Sequence, residues 1–543
     1  MPDYTAHLGD PDTDPDPREL ADLSLNDLGN ARRLLARHGV DMLSVDHIGW
    51  HVWDGRRFDR EAGNAEAMKR CFDVVDAMAL EVAALSADPV LSRVVMDAED
   101  DPLGSDLDQA AARPKRRRTA AEVRAAALAK HRVASGNAGK INGMMKLAEP
   151  LKRIAAMKLD ADKLAFTAQN GVLRLSRSVQ GEPGEDIPMH LQTGFSRADL
   201  GTKLAGAAYD PTSRCPKFEA FLEGIMPSPA VRGFLQRFFG YCLTGETFEQ
   251  VFLVFYGKGA NGKSQLLIAI RAAMGDYAVT SDIKTFLSDD KSNGANARPD
   301  IARLPGVRLV VASEPEQGQA LDESLIKTIT GGEMMVTRNL FRDMFEFEPI
   351  FKPILSTNYK IRIRGTDNGI WRRVLLVPFE QTITADRDIK DLGKQLGAEE
   401  GSGILNWMLD GYADWRAQGL SPPPEIRDAT DEYRAESDPI GMFVRECMEI
   451  VLADTKNELA VRVYEIYVQW CIEAGYDPVK RNMLGRKLTD RGIHRGKSSN
   501  ATYSNVVLTP DAYELERRAH ERMNSRYPSR SSEPPGEVSE VPS

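Results

Sequence analysis

The sequence predicts a multidomain chain built on an α/β core, with a mostly helical region before it and a compact basic unit after it. Between residues 250 and 380, short apolar runs alternate with helical stretches, the pattern of parallel strands covered by helices. Residues 119–249 are dominated by the 3.6-residue spacing of amphipathic helices. The length, 543 residues, exceeds what one hydrophobic core serves and implies about three or four domains.

Composition narrows the function classes. Hydrophobic content of 42% and charged content of 28% are ordinary for a globular chain. No run approaches the roughly 20 apolar residues that span a bilayer, so no membrane partner is expected. The five cysteines (Cys71, Cys215, Cys242, Cys447, Cys471) form no CxxC pair, and the eight histidines form no HxH or HExxH. That argues against a zinc ribbon, a disulfide framework or any protein-built metal site, and for a reducing compartment. A net charge of −10 argues against polyanions only if the charge is evenly spread, because phosphates are met by local patches. Lys327–Arg373 holds nine Lys/Arg against five Asp/Glu, and Val479–Asn500 holds seven against one.

In chain order, residues 1–19 are acidic and proline-rich, unlike a signal or transit peptide, and are expected to be a disordered leader. Residues 20–96 combine an amphipathic stretch, 25–39, with apolar runs about Asp54-Gly55, a hairpin-turn pair, and so predict a small α+β unit. Residues 97–118 change abruptly in character and predict a linker; its KRRR run is better explained as a solvated charge cluster than as a phosphate site. The mostly helical domain, 119–249, includes a strand–turn–strand signal at Asn170-Gly171. An α/β domain follows at 250–385, then a helical connector at 386–437, within which Pro422-Pro423-Pro424 marks a break. A compact unit occupies 438–510, ordered helix–helix–basic helix–strand, and 511–543 is a helix end with a disordered tail.

The chemistry concentrates in the α/β domain. Val251–Tyr256 is a continuously apolar run, as a buried parallel strand requires. It leads into Gly257-Lys258-Gly259-Ala260-Asn261-Gly262-Lys263-Ser264, which fits GxxxxGK[ST], and then into a helical stretch. Glycines let backbone amides close around a β-phosphate, and the helix N-terminus adds partial positive charge. Lys263 then reaches the β- and γ-phosphates and the Ser264 hydroxyl ligates Mg²⁺, so ATP and Mg²⁺ are the expected cofactors. A second strand, Val307–Ala312, ends at Ser313-Glu314-Pro315-Glu316. An acid there can hold the metal or polarise the attacking water; Glu314 is the first candidate and Glu316 the second. A third strand, Pro353–Thr357, ends at Asn358, which is suited either to orienting the lytic water or to forming a turn. Arg373, in Trp371-Arg372-Arg373, precedes another buried run and suits either a neighbouring subunit's ATP or a surface ion pair.

Five segments, GKGANGKS, LVVASEPE, LIKTITGGEMMVTRNL, PILSTNY and GTDNGIWRRVLLVPF, resemble in order and spacing the phage/plasmid primase–helicase family, whose motor is an AAA+-like superfamily 3 P-loop ATPase. Residues 119–249 resemble the helical domain that precedes this motor in poxvirus-type members, and 438–510 resemble the winged helix that follows it. The resemblance implies Lys263 and Ser264 for phosphate and Mg²⁺, Glu314 for the acidic motif, Asn358 for the sensor, and Arg373, with Arg372 as alternative, for the arginine finger. It further implies a DNA-gripping hairpin at Gly331–Asp343 carrying Arg338 and Arg342, and phosphate contacts from Lys480, Arg481, Arg486 and Lys487 of the winged helix, joined by Arg491 and Arg495. The partners it implies are single-stranded and forked DNA, further copies of the chain in a hexameric ring moving 3′→5′, and a separate primase. Its setting is the cytoplasm of a bacterial host, as for a phage or mobile-element protein.

Two departures stand out. Ser313 occupies the position where many members have a second acid, and residues 1–118 are too short for a catalytic primase domain. The expected function is therefore an ATP-dependent DNA helicase without primase. An ATP-regulated DNA-binding initiator is the alternative, and a packaging or partitioning ATPase is disfavoured by the Asn358 and Arg373 segments.

Overall fold

The computed structural model describes residues 14–95, 118–176, 189–287, 298–313, 319–338, 343–365, 367–384, 389–451, 457–496 and 501–526. They fall into two compact units: 1–361 with 372–427, and 362–371 with 428–543.

In the first unit, helix α1 (Asp27–His38) begins at Asn26, whose side chain accepts from the Gly29 amide and so caps the first turn. Strands β1 (Met42–Val45), β2 (Gly49–Trp53) and β3 (Phe58–Asp59) follow, with the β2–β3 turn at the Asp54-Gly55 pair. Helix α2 (Gly63–Ser86) packs against α3 (Ala120–Ser135), and α1 packs against α4 (Ala138–Ala148). A capping box, Thr119 with Glu122, starts α3. Strand β4 (Arg153–Ile154) joins the first sheet beside β1, in the order β3-β2-β1-β4. Ala31, Trp50, Cys71, Ile141 and Met144 share one core, so residues 97–118 do not divide two cores here, although the change in composition predicted a linker.

Beyond it, β5 (Ala165–Ala168), β6 (Gly171–Leu175) and β7 (Met189–Thr193) form an antiparallel sheet, and α5 (Pro216–Ile225) and α6 (Pro229–Tyr241) follow. The α/β layer consists of β8 (Phe252–Tyr256), β9 (Ala278–Asp282), β10 (Leu309–Ser313), β13 (Lys352–Thr357) and β14 (Val374–Pro378). All four neighbouring pairs are parallel and the order is β14-β8-β13-β10-β9. Helices α7 (Lys263–Met274) and α8 (Glu323–Gly331) lie between strands, and a hairpin of β11 (Met335–Arg338) and β12 (Met344–Phe347) stands apart from the sheet. The long helix α9 (Leu392–Gln418) packs on α6 and α7. Its buried Glu400 accepts from the Lys217 and Phe218 amides at 3.1 and 2.9 Å, placing a carboxylate at the N-terminus of α5. Phe166, Phe218, Phe238, Leu253, Leu266 and Met408 share one core, so the sheet is continuous in packing with the helices before and after it.

The second unit has α10 (Pro439–Cys447), β15 (Met448–Ile450), β16 (Asn457–Leu459), α11 (Ala460–Ala474), α12 (Arg481–Thr489), β17 (His494–Arg495), β18 (Thr502–Ser504), β19 (Val506–Leu508) and α13 (Pro510–Arg526). Its sheets are β16-β18-β17 and β15-β19, all pairs antiparallel. Phe443, Val463, Tyr467, Leu484 and Leu488 fill its core.

Among the described residues no helix is long and apolar enough to cross a membrane, and no group of His, Cys, Asp and Glu is arranged to hold a metal ion by itself. All five cysteines are free and buried.

Candidate nucleotide site

The loop between β8 and α7 turns sharply because glycine removes side chains where other atoms pass. A Cβ on Gly257 would stand 2.2 Å from Asn261 Nδ2 and 2.3 Å from the Phe379 carbonyl oxygen. Gly262 caps α7 at φ +79°, in the left-handed region, with its Cβ position 2.5 Å from an Ile225 methyl. Helix α7 therefore begins at Lys263 itself, and its first-turn amides, which have no intrahelical acceptor, face the loop.

Lys263 is 5% exposed. Its ammonium donates to Gly257 O at 2.7 Å, Asn261 Oδ1 at 3.0 Å and Asn358 Oδ1 at 3.2 Å. Three acceptors match its three N–H bonds, which is how a buried ammonium is kept charged. Burial lowers its pKa from the ordinary lysine value. Asn261 is 4% exposed, and its Nδ2 donates to Phe379 O at 3.2 Å. The loop also accepts at Ala260 O from the Ile383 amide, at 2.6 Å.

These residues wall a cavity of about 560 Å³, lined by Gly259, Ala260, Asn261, Gly262, Lys263, Ser264 and Asn358, with Ser313, Ser356 and Ile383. Parallel pairing explains the assembly: β13 lies between β8 and β10, so Thr357 pairs with Tyr256 and Ser356 with Ser313. The ends of the three strands open on one edge, where ligands of such sheets bind. The residues suit a nucleotide triphosphate. A buried lysine, glycines that clear the backbone, a helix N-terminus and the exposed Ser264 hydroxyl converge on one cavity.

Of the other expected residues, Glu314 and Glu316 lie outside the described residues, immediately beyond Ser313 at the end of β10. Arg373 is 9% exposed, and its Nε donates to Thr330 Oγ1 at 3.0 Å; Arg372 is exposed. Both precede β14, at the sheet edge opposite the cavity. Arg338 ends β11, paired in register with Met344, and Arg342 lies outside the described residues.

In the second unit, Lys480, Arg481 and Arg486 are exposed on and before α12, Lys487 is half-buried and Arg495 is exposed on β17. Arg491 differs from what its place in a basic run predicts. It is turned to Asp438, with Nη2–Oδ1 at 2.6 Å, and also donates to Lys487 O. Sequence reasoning singled out none of Phe379, Ile383, Ser356 and Thr330: Phe379 and Ile383 act through main-chain atoms, and Ser356 and Thr330 lie within matched segments without a residue type that marks a site.

Comparisons with known proteins bear on the family. Residues 31–227 match a family model described as D5 N terminal like. A candidate helicase of Acanthamoeba polyphaga mimivirus is 25% identical over 329 residues, 58% of this chain and 33% of that protein. A candidate helicase of Frog virus 3 is 30% identical over 251 residues, 43% of this chain and 26% of that protein. Primase D5 of Fowlpox virus is 26% identical over 236 residues, 41% and 28% respectively. Through residues 31–227 and these relatives the chain is similar to the D5-type primase–helicases. It spans a third or less of the length of these relatives. A solved structure, the apo C-terminal region of NrS-1, is similar at a TM-score of 0.38 and 13% identity, over 60% of this chain and 82% of that one, a likeness too slight to argue from. The matched relatives are viral, whereas the sequence pointed to a phage or mobile element of bacteria.

Proposed function

We propose that this D5-type chain is an ATP-dependent DNA helicase, acting in replication as a ring of like subunits. The observation that carries the proposal is the meeting of Lys263, Asn261 and Asn358 in one cavity at the edge of a parallel sheet. The helicase and primase names of the matched relatives support a replication role.

Lys263 exchanges its three protein acceptors for phosphate oxygens when a triphosphate enters. Asn358, released from Lys263, is free to orient a water at the strand end. In this reading Ser264 and Glu314 hold Mg²⁺, whose charge neutralises the phosphates. Arg373, or Arg372, reaches the ATP of an adjacent subunit. Arg338 and Arg342 serve the single strand in a hexameric ring that moves 3′→5′.

The second unit supports a winged-helix reading, since α10, β16, α11, α12, β17 and β18 follow one another with the strands ordered β16-β18-β17. Lys480, Arg481, Arg486 and Lys487 then meet duplex phosphates at a fork, and a separate primase makes the primers.

The test is ATP hydrolysis with and without single-stranded DNA, together with strand separation on forked duplexes carrying a 3′ or a 5′ tail. Strong stimulation and unwinding from the 3′ tail are expected. Hydrolysis indifferent to DNA, with no unwinding from either tail, would leave the ATP-regulated initiator as the better reading.

A further inference from the structure

The side chain of Asn261 has two tasks that the P-loop motif does not require of it. Its Oδ1 accepts from the Lys263 ammonium, and its Nδ2 donates to the Phe379 carbonyl. Lysine only donates and a carbonyl only accepts, so these partners fix the orientation of the amide. The path from the loop to Phe379 crosses Gly257, where a Cβ would overlap both the amide and the carbonyl. A second bond, Ile383 N to Ala260 O, ties the same two segments together.

Phe379 directly follows β14, and its own amide donates to Tyr256 O. β14 pairs on one side only, with β8, so it is an edge strand. Arg372 and Arg373 immediately precede it. A strut from the lysine that meets phosphate therefore ends on the strand that begins at the two arginines.

We infer that Asn261 is a positioning residue that couples the position of Lys263 to strand β14, and so carries the filling of one nucleotide site toward Arg372 and Arg373. The inference rests on the nucleotide reading of the cavity. When phosphate draws Lys263 away, Asn261 Oδ1 loses its donor while Nδ2 still holds Phe379. The amide then re-settles, and the strand end to which it is fastened moves with it. Asn261→Ala removes both contacts. Asn261→Asp keeps the size and the lysine acceptor but removes the donor to Phe379.

Hydrogen exchange of the full chain, with and without a non-hydrolysable ATP analogue, reads this directly. In the wild-type chain the analogue should slow exchange in a peptide covering 257–264 and change exchange in one covering 372–379. With the analogue raised until 257–264 responds in Asn261→Ala and Asn261→Asp, so that weaker binding at this cavity residue is offset, the response at 372–379 should be lost. A response at 372–379 that survives in both variants would overturn the inference and leave the nucleotide site intact. Asn261→Asp provides this reading even where the alanine variant fails to fold. No response at 257–264 in the wild-type chain would instead overturn the nucleotide reading, and the coupling with it.

Discussion

Arg373 and Lys263 stand at opposite ends of two neighbouring strands of one parallel sheet, before the start of β14 and beyond the end of β8. The Phe252 amide donates to Arg373 O at the start of the β8–β14 pairing, while Pro378 pairs with Tyr256, where the chain enters the P-loop. Five strand residues at about 3.3 Å each separate the arginine from the phosphate loop of its own chain. An arginine in that place is out of reach of its own chain's phosphate loop, so the proposed finger role would be exercised on a neighbour's nucleotide. Its guanidinium also donates to Thr330, whereas Arg372 is exposed, so both must be tested.

Arg373→Ala should bind ATP through its own Lys263 yet hydrolyse it more slowly by about 10³-fold, the scale of finger removal in other P-loop enzymes. Mixing it with Lys263→Ala subunits should restore part of the activity, because some interfaces then join an intact loop to an intact finger. Mixed rings that form and remain inactive would transfer the role to Arg372, examined in the same way.

Lys263→Ala should abolish ATP turnover, because the ammonium held at the cavity by Gly257 O, Asn261 and Asn358 is the charge that would meet the β- and γ-phosphates. Circular dichroism and the unfolding temperature report whether the fold survives, and a wild-type turnover rate in a folded variant would reject the nucleotide site.

The second unit should bind duplex DNA with a steep salt dependence. In filter or anisotropy titrations of the full chain, Lys480→Ala, Arg481→Ala and Arg486→Ala should each reduce the slope of log K against log salt by about one. Arg491→Ala should leave that slope unchanged and lower stability by about 1 kcal/mol, since its side chain is paired with Asp438. Wild-type slopes in the first three variants would mean that those residues make no phosphate contact.

Glu81→Gln tests the packing of α1 against α2. Arg33 Nε lies 2.8 Å from Glu81 Oε2, with both side chains wholly buried. Removing one charge of such a pair costs about 3–5 kcal/mol, because the other remains in the interior uncompensated. Thermal or urea unfolding should show that part of the chain melting first; an unchanged profile would refute the pair's structural role.

Acid should weaken the first unit through His51, whose pKa burial pulls down to about 4 from 6.5. Between those values the unfolded chain binds a proton that the folded chain refuses, so stability is full above pH 6.5 and falls as the pH drops toward about 4. His51→Gln should make that part of the stability–pH curve shallower, leaving the share of His38, which burial also lowers to about 4, and a curve of unchanged shape would show that the His51 ring contributes none of it.

The sequence by itself determined the parts of this protein whose physics is local. The unit from β8 through the glycine turn to α7 is legible because a buried strand, glycine turns and a helix start must follow one another within a few residues, so their order is the signal. Strands β8, β10, β13 and β14 show as apolar runs because neighbours and helices cover them. β9 does not: Thr280 and Asp282 are exposed, so Ala278–Asp282 carries no continuous apolar run. The hairpin turns at Asp54-Gly55 and Asn170-Gly171 were equally readable, since turn chemistry is local. Tertiary structure alone decided the rest. Lys263 and Asn358, 95 residues apart, meet only because β13 pairs with β8. Asn261 reaches a main-chain oxygen 118 residues away, and main-chain oxygens carry no residue-type signature. Arg491 leaves the basic run for Asp438 for a similar reason: local charge reveals where phosphate is attracted, but only packing reveals which cation already has a partner.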